Sequence, residues 1–209
     1  MSGNGARRLQ ETEVKVLAGE RLGAQDGLAL LQVTNLPWLG FLADTVRRRK
    51  RPEREVTYVV GRIINYTNVC WVKCTFCAFY RLPGHQEGYV LSREEIFQKI
   101  QEVVDHGGTE VLFQGGLNPA LKIDYFEEMF RAITGRFPVH IHGLSPAELI
   151  YLAKVSRLSL RETLLRLKSA GLGTVPGGGA EILVDDVRQA ISPLKDTVEE
   201  WLDCMRTAH

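Results

Sequence analysis

From residue 56 to the end of the chain, short β-branched or apolar runs alternate with capped, amphipathic helical stretches, and few folds accept that alternation. Residues 56–64 read as a first strand. Ser92-Arg93-Glu94-Glu95 has the form of a capping box, Ile96, Ile100, Val103 and Val104 give a helical stripe behind it, and Gly107 stands where a helix-ending glycine belongs. Residues 110–113 make a second strand, and Tyr125, Phe126, Met129, Phe130 and Ile133 mark the face of the next helix. A third strand spans 139–142. Ser145-Pro146-Ala147-Glu148 then starts a helix with a cap and an early proline, and Ser159 starts another that ends near Gly171. After Pro176-Gly177-Gly178-Gly179, residues 180–184 read as a fourth strand, and Thr197-Val198-Glu199-Glu200 caps a last helix.

Repeated βα units predict an α/β fold with a parallel sheet. Right-handed crossovers curl such a sheet toward a TIM-like (β/α) barrel whose functional loops sit at the strand C-terminal ends. Four strands do not close a barrel, so the expectation is a partial barrel, truncated after about four βα units. Two segments follow: 1–50, an N-terminal helical segment with helices at 27–32 and 39–49, and 51–209, a C-terminally incomplete (β/α) core.

Composition narrows the partners. The chain is 44% hydrophobic and 24% charged with a net charge of +1, so no overall field marks a nucleic acid or a membrane surface. No apolar run approaches a membrane span, and Met1 to Arg8 lead into no apolar core of a secretory leader. These readings point to the cytoplasm. The basic run Arg47-Arg48-Arg49-Lys50-Arg51 invites a nucleic-acid reading, but the apolar stripe Leu39, Leu42, Val46 before it and Pro52 after it fit a helix C-terminus better.

Three of the four cysteines, Cys70, Cys74 and Cys77, stand as C-x3-C-x2-C at the end of the first predicted strand. A secreted disulfide framework does not cluster its cysteines this way. A structural zinc site wants four ligands, and His85 could complete one in principle. Three thiolates can instead hold three irons of a [4Fe–4S] cluster and leave the fourth open, whereas electron carriers close theirs with a fourth cysteine. The remaining cysteine, Cys204, reads as helix packing.

The loop resembles the cluster loop of radical S-adenosyl-L-methionine (SAM) enzymes. Longer strings, Asn65-Tyr66-Thr67-Asn68-Val69-Cys70, Phe76-Cys77-Ala78-Phe79-Tyr80-Arg81, Pro83-Gly84-His85, Glu87-Gly88-Tyr89, Gln114-Gly115-Gly116, His140-Ile141-His142 and Pro176 to Leu183, are similar to the radical SAM enzymes of the futalosine route to menaquinone, most of all the cyclic dehypoxanthine futalosine synthases. Aminofutalosine synthases and deazaflavin cofactor synthases share part of the pattern. A non-catalytic iron–sulfur or zinc-binding fragment is the alternative of another class. Gly61 before Arg62 and Gly143-Leu144 depart from the family's usual residues.

The resemblance implies a [4Fe–4S] cluster on Cys70, Cys74 and Cys77 that reduces SAM to methionine and a 5′-deoxyadenosyl radical, with dehypoxanthine futalosine as the small-molecule substrate and a flavodoxin or ferredoxin as electron donor. Phe76 and Tyr80 are then expected at the adenine, with Gln114, Gly115 and Gly116 beside the methionyl group. Strand alternation places His140 and His142 on one face, opposite Val139 and Ile141, so both histidines are expected to face the barrel interior, as substrate ligands or proton acceptors. Glu181, on the expected fourth strand, is the candidate for a ribose hydroxyl. The family members are considerably longer than this chain.

Overall fold

The computed structural model describes residues 3–209, with side chains from residue 5; Met1 and Ser2, part of the stretch read above for a leader, lie outside the described residues. The described residues fall into two compact units, one ending at Thr57 and one spanning Tyr58–His209. Among the described residues no helix is long and apolar enough to cross a membrane.

The first unit holds α1 (Gly3–Ala18), α2 (Ala24–Leu31) and α3 (Leu36–Lys50). The sequence pattern anticipated only the last two, because one of the two side chains that α1 buries, Thr12, is polar and the other is Val16. Thr12 on α1 is fully buried and donates to Asp26 Oδ1 at 3.3 Å. Lys15 Nζ and the Gly23 amide reach Oδ2 at 2.7 and 2.9 Å. The cations at the end of α3 are held within this unit. Arg47 and Arg48 pair with Asp44, while Arg49 donates to the Val16 and Leu17 carbonyls at the end of α1. The basic run is therefore a helix terminus that satisfies another helix's last carbonyls.

Asp26 makes this unit acid-sensitive. The Lys15 hydrogen bond and the Gly23 amide lower its carboxyl from 3.8 to about 2. A depressed folded-state value means that the stabilisation is complete above 3.8 and is lost as pH falls through about 2. Thermal melts of the full chain between pH 4 and pH 2 are expected to show a loss of helical signal in the wild type that Asp26→Asn, already lacking the charge, does not reproduce.

In the second unit, β1 (Gly61–Asn65), β2 (Glu110–Gln114), β3 (His140–Gly143) and β4 (Leu172–Thr174) form one sheet in the order β1-β2-β3-β4. Each neighbouring pair is parallel, with Gly61 opposite Glu110 and Glu110 opposite His140. The connections carry α4 (Arg93–Asp105), α5 (Ile123–Thr134), α6 (Pro146–Ser156) and α7 (Leu160–Ala170), and α8 (Asp185–Ile191) and α9 (Val198–Ala208) follow the last strand. The expected caps form: Ser92, Ser145, Ser159 and Thr197 each accept from the amide three residues on. Gly107 and Gly171 end their helices with positive φ.

One face of the sheet packs on the helices. Ile64, Val111, Phe113 and Ile141 are buried there with Ile96, Ile100, Phe126, Phe130, Ile133 and Leu149. The other face, carrying Ile63, Leu112, His140 and His142, is more open; Ile63 is 58% exposed. Period-two alternation thus separates the apolar side of each strand from its histidine side.

Two strand expectations need correction. Residues 56–60 lie outside the ladder, although the Val60 carbonyl accepts from Thr109 N at 3.0 Å, and β1 begins only at Gly61, where it lies opposite β2. The fourth strand is Leu172–Thr174 rather than 180–184. Gly171 turns the chain directly into the edge of β3, and the carbonyls of Gly179, Ala180 and Ile182 are taken by the Arg188 guanidinium at 3.0, 2.9 and 3.4 Å instead of by a strand. An apolar run whose carbonyls already have partners gains little from joining a ladder.

Candidate functional site

All four strand C-terminal ends open toward one end of the sheet, and the loops there enclose a cavity of about 350 Å³. After β1 the chain makes a long excursion, residues 66–90, closed on itself by short hydrogen bonds. Cys70 N donates to Arg81 O at 2.9 Å and Arg81 N to Asn68 O at 2.8 Å. The Asn68 side chain bridges Glu87 O and Tyr89 N at 3.0 and 2.8 Å, Arg81 Nε meets Glu87 at 2.6 Å, and Thr67 Oγ1 donates to Tyr89 O at 2.5 Å. The motif residues flanking the cysteines therefore fasten the loop. Lys73 turns the chain with φ of 59°, and Cys77 N closes back on Cys74 O at 3.1 Å.

Cys70, Cys74 and Cys77 are free, partly exposed thiols, and all three line the cavity. Cys204 is fully buried on α9, outside it. Burial raises the Cys74 thiol; the Lys195 ammonium opposes that shift. Among the described residues no three His, Cys, Asp or Glu side chains gather closely enough for a single metal ion. A cubane takes one thiolate at each of several irons, so its cysteines stand farther apart than ligands of one ion. Three free thiols around an open cavity, without a fourth, fit such a cluster better than a shared zinc.

Phe76, Tyr80, Gln114, Gly115, Gly116 and Glu181 line the same cavity. The two glycines are required by close packing. A Cβ on Gly115 would stand 2.7 Å from Cζ of Tyr66, and one on Gly116 would stand 2.8 Å from Cβ of Cys70. Their absent side chains let the cysteine loop lie against the end of β2. Glu181 sits in a turn with φ of 34°, not on a strand, and its two carboxylate oxygens each receive Lys195 Nζ at 2.9 Å. His140 and His142 are not among the cavity's lining residues. They share a single partner on the open face, with His140 Nε2 and His142 Nδ1 at 2.7 and 2.6 Å from Thr174 Oγ1. Gly173 leaves room for the His140 ring.

Three features went unread in the sequence. Lys195 is a nearly buried cation on the cavity wall, 5.8 Å from the Phe76 ring centre. Thr75, inside the cysteine loop, donates both its amide and its hydroxyl to Ile191 O at 2.9 and 3.1 Å, fixing the loop to the end of α8. Glu148 is a buried carboxylate at the cavity wall, noticed in the sequence only as part of a helix start. Burial pushes its carboxyl up while hydrogen bonds from Ser145, Tyr66 and Gly115 pull it back. Burial prevails, so the carboxyl stays above its usual range although donors surround both oxygens.

A thiol loop after the first strand of a parallel α/β sheet, facing the strand ends, is the arrangement of a cluster-dependent barrel enzyme. The chain belongs to the Radical SAM superfamily, whose family model matches residues 64–209. It is 47% identical over 193 residues to a cyclic dehypoxanthine futalosine synthase of Halalkalibacterium halodurans, covering 92% of this chain and 52% of that protein. It is 41% identical over 210 residues to a 5-amino-6-(D-ribitylamino)uracil–L-tyrosine 4-hydroxyphenyl transferase of Synechocystis sp., covering 96% and 53%. The chain thus spans about half the length of these curated relatives. The fold matches a crystal structure of HydG, a maturase of the [FeFe]-hydrogenase, with a TM-score of 0.72 at 16% identity over 97% of this chain and 44% of that one.

Proposed function

We propose that the chain carries the cofactor-binding core of an enzyme that oxidatively cyclises dehypoxanthine futalosine to cyclic dehypoxanthine futalosine in menaquinone biosynthesis, acting in the cytoplasm with a flavodoxin- or ferredoxin-type electron donor. The observation that carries this reading is the convergence of Cys70, Cys74 and Cys77 with the Gly115–Gly116 backbone on one cavity, in a chain 47% identical to a protein of that name.

In this reading the three thiolates hold a [4Fe–4S] cluster. The Gln114–Gly116 backbone and the rings of Phe76 and Tyr80 cradle the SAM molecule, and Glu181, oriented by Lys195, accepts from a ribose hydroxyl. The bound pair supplies one-electron cleavage of SAM and a 5′-deoxyadenosyl radical able to abstract hydrogen. The cavity walls hold the two small molecules in register and keep water and other hydrogen donors away. The proton released on ring closure goes to the histidine face. The Thr174 hydroxyl has one hydrogen to donate, so it gives it to one imidazole and accepts an N–H from the other, which orients both rings.

A second reading has support of its own in the Synechocystis relative, namely radical transfer of a tyrosine-derived 4-hydroxyphenyl group. Aminofutalosine synthase chemistry is a third outcome of the same assay. The anaerobically reconstituted, reduced chain is incubated with SAM and each candidate substrate, and 5′-deoxyadenosine and product are followed together. Coupled 5′-deoxyadenosine and cyclised nucleoside are expected. 5′-Deoxyadenosine with a different product transfers the chain to another substrate, and an iron-loaded chain that makes none is not such an enzyme. In an active chain, His142→Ala is expected to lower cyclised product by about tenfold or more while leaving 5′-deoxyadenosine formation within about twofold, since general-base catalysis acts after SAM cleavage.

A further inference from the structure

Helix starts elsewhere in this chain show what an ordinary capping glutamate looks like. Glu95 and Glu200 close capping boxes with Ser92 and Thr197, and both are solvent-exposed. Glu148 closes the same box with Ser145, yet it is 5% exposed. A cap alone gives no reason to bury a carboxylate, which costs free energy unless its oxygens are satisfied. Here they are satisfied by groups from three strand ends. Oε2 accepts from Ser145 N at 2.8 Å and Ser145 Oγ at 2.6 Å, just after β3. Oε1 accepts from Tyr66 OH at 2.8 Å, just after β1, and from Gly115 N at 2.9 Å, just after β2.

The two groups on Oε1 are those the cavity depends on. Tyr66 begins the segment that leads to Cys70, stacks on Phe113 with centroids 4.7 Å apart, and lies where a Gly115 side chain would be. Gly115 N–H has no other partner described, and its peptide forms the cavity wall. Fixing one carboxylate therefore fixes the direction of the Gly115 peptide and the seat of the cysteine loop together.

We propose that Glu148 is a positioning residue that locks the C-terminal ends of β1, β2 and β3 into the geometry that binds SAM, acting through Tyr66 and the Gly115 amide; this rests on the radical SAM reading of the site. Glutamine separates this role from capping, because a capping box accepts Glu or Gln. With its oxygen toward Ser145 the cap survives, but the amide NH₂ then faces Gly115 N–H, donor against donor. Turned the other way, it leaves Ser145 N–H unmet. Either way one buried amide loses its acceptor.

The test uses the full chain as wild type, Glu148→Gln and Tyr66→Phe. Each is reconstituted with iron and sulfide, checked by circular dichroism and iron content, and titrated with SAM by equilibrium dialysis. Hydrogen exchange of the peptide spanning residues 113–117 is measured in parallel on the metal-free chain. In Glu148→Gln the expected results are unchanged helicity and iron, faster exchange at 114–116, and SAM affinity weaker by about tenfold or more. Tyr66→Phe, which loses one donor only, is expected to weaken SAM binding by about threefold, and the double variant to bind no more weakly than Glu148→Gln. Wild-type exchange at 114–116 in Glu148→Gln, or SAM affinity within twofold of wild type, overturns the proposal. If Glu148→Gln does not fold, Tyr66→Phe decides, and wild-type exchange and affinity in that variant overturn it. A wild-type chain that binds iron but no SAM defeats the radical SAM reading instead, and the exchange measurement still decides whether Glu148 sets the Gly115 peptide.

Discussion

Replacing Cys70, Cys74 or Cys77 singly by alanine is expected to remove most of the iron that the reconstituted chain holds, together with its charge-transfer absorbance. The three thiols are free, share the wall of one cavity, and lie in a loop with no fourth cysteine to take over. A cluster with three protein ligands has no spare, so losing one leaves two irons without protein sulfur. The companion variant Cys204→Ala shows whether the loss is specific. Cys204 is fully buried on α9 with its thiol raised to about 12 by burial, so it behaves as a small apolar side chain. Its replacement should leave iron content unchanged and cost about 1 kcal/mol of stability through the vacated volume. Iron binding that survives in all three loop variants, measured by metal analysis after anaerobic desalting, removes the basis for assigning the cluster here.

Gly116→Ala is expected to be the most damaging single methyl group that can be added near the site. The new Cβ would press on the Val69 carbonyl and approach Cys70 Cβ to 2.8 Å. Neither obstacle is the free end of a flexible side chain. Val69 is bridged to Arg81, Cys70 N is bonded to Arg81 O, and Gly116 N itself donates to Thr67 O at 3.0 Å. Relief requires the cysteine loop to lift from the end of β2. Overpacking of this kind costs about 1–3 kcal/mol or more. The functional loss should exceed the stability loss, because the displaced atoms carry the first thiol. A denaturant titration beside an iron determination checks both. A variant that binds iron like the wild type shows that the loop can shift without consequence.

Much of the architecture was legible because it is written in local chemistry. Ser92, Ser145, Ser159 and Thr197 are short polar residues placed before helical stripes, and each caps its helix. The alternation of Val139, His140, Ile141 and His142 sorted that strand's faces because a pleat has a period of two. The cysteine spacing marked the loop without any knowledge of what it faces. The misplaced fourth strand has a long-range cause. Residues 180–184 look like a strand, but Arg188 supplies their carbonyls with a guanidinium, while the glycine-bearing Leu172–Thr174 pairs with β3 despite poor local propensity. Helix α1 escaped notice because it meets Asp26 through the polar Thr12 and Lys15, with Val16 as its buried apolar side chain. Lys195 and Glu148 escaped for a related reason. A lone lysine or a capping glutamate carries no sign of burial, and only the tertiary structure brings them to the cavity.

The double donation from Thr75 to the Ile191 carbonyl has a mechanical meaning. It ties the thiol-bearing loop to the stretch that carries Glu181 and Lys195, so the two sides of the cleft are joined at Thr75. Opening the cleft on this side would first have to break both bonds to the Ile191 carbonyl.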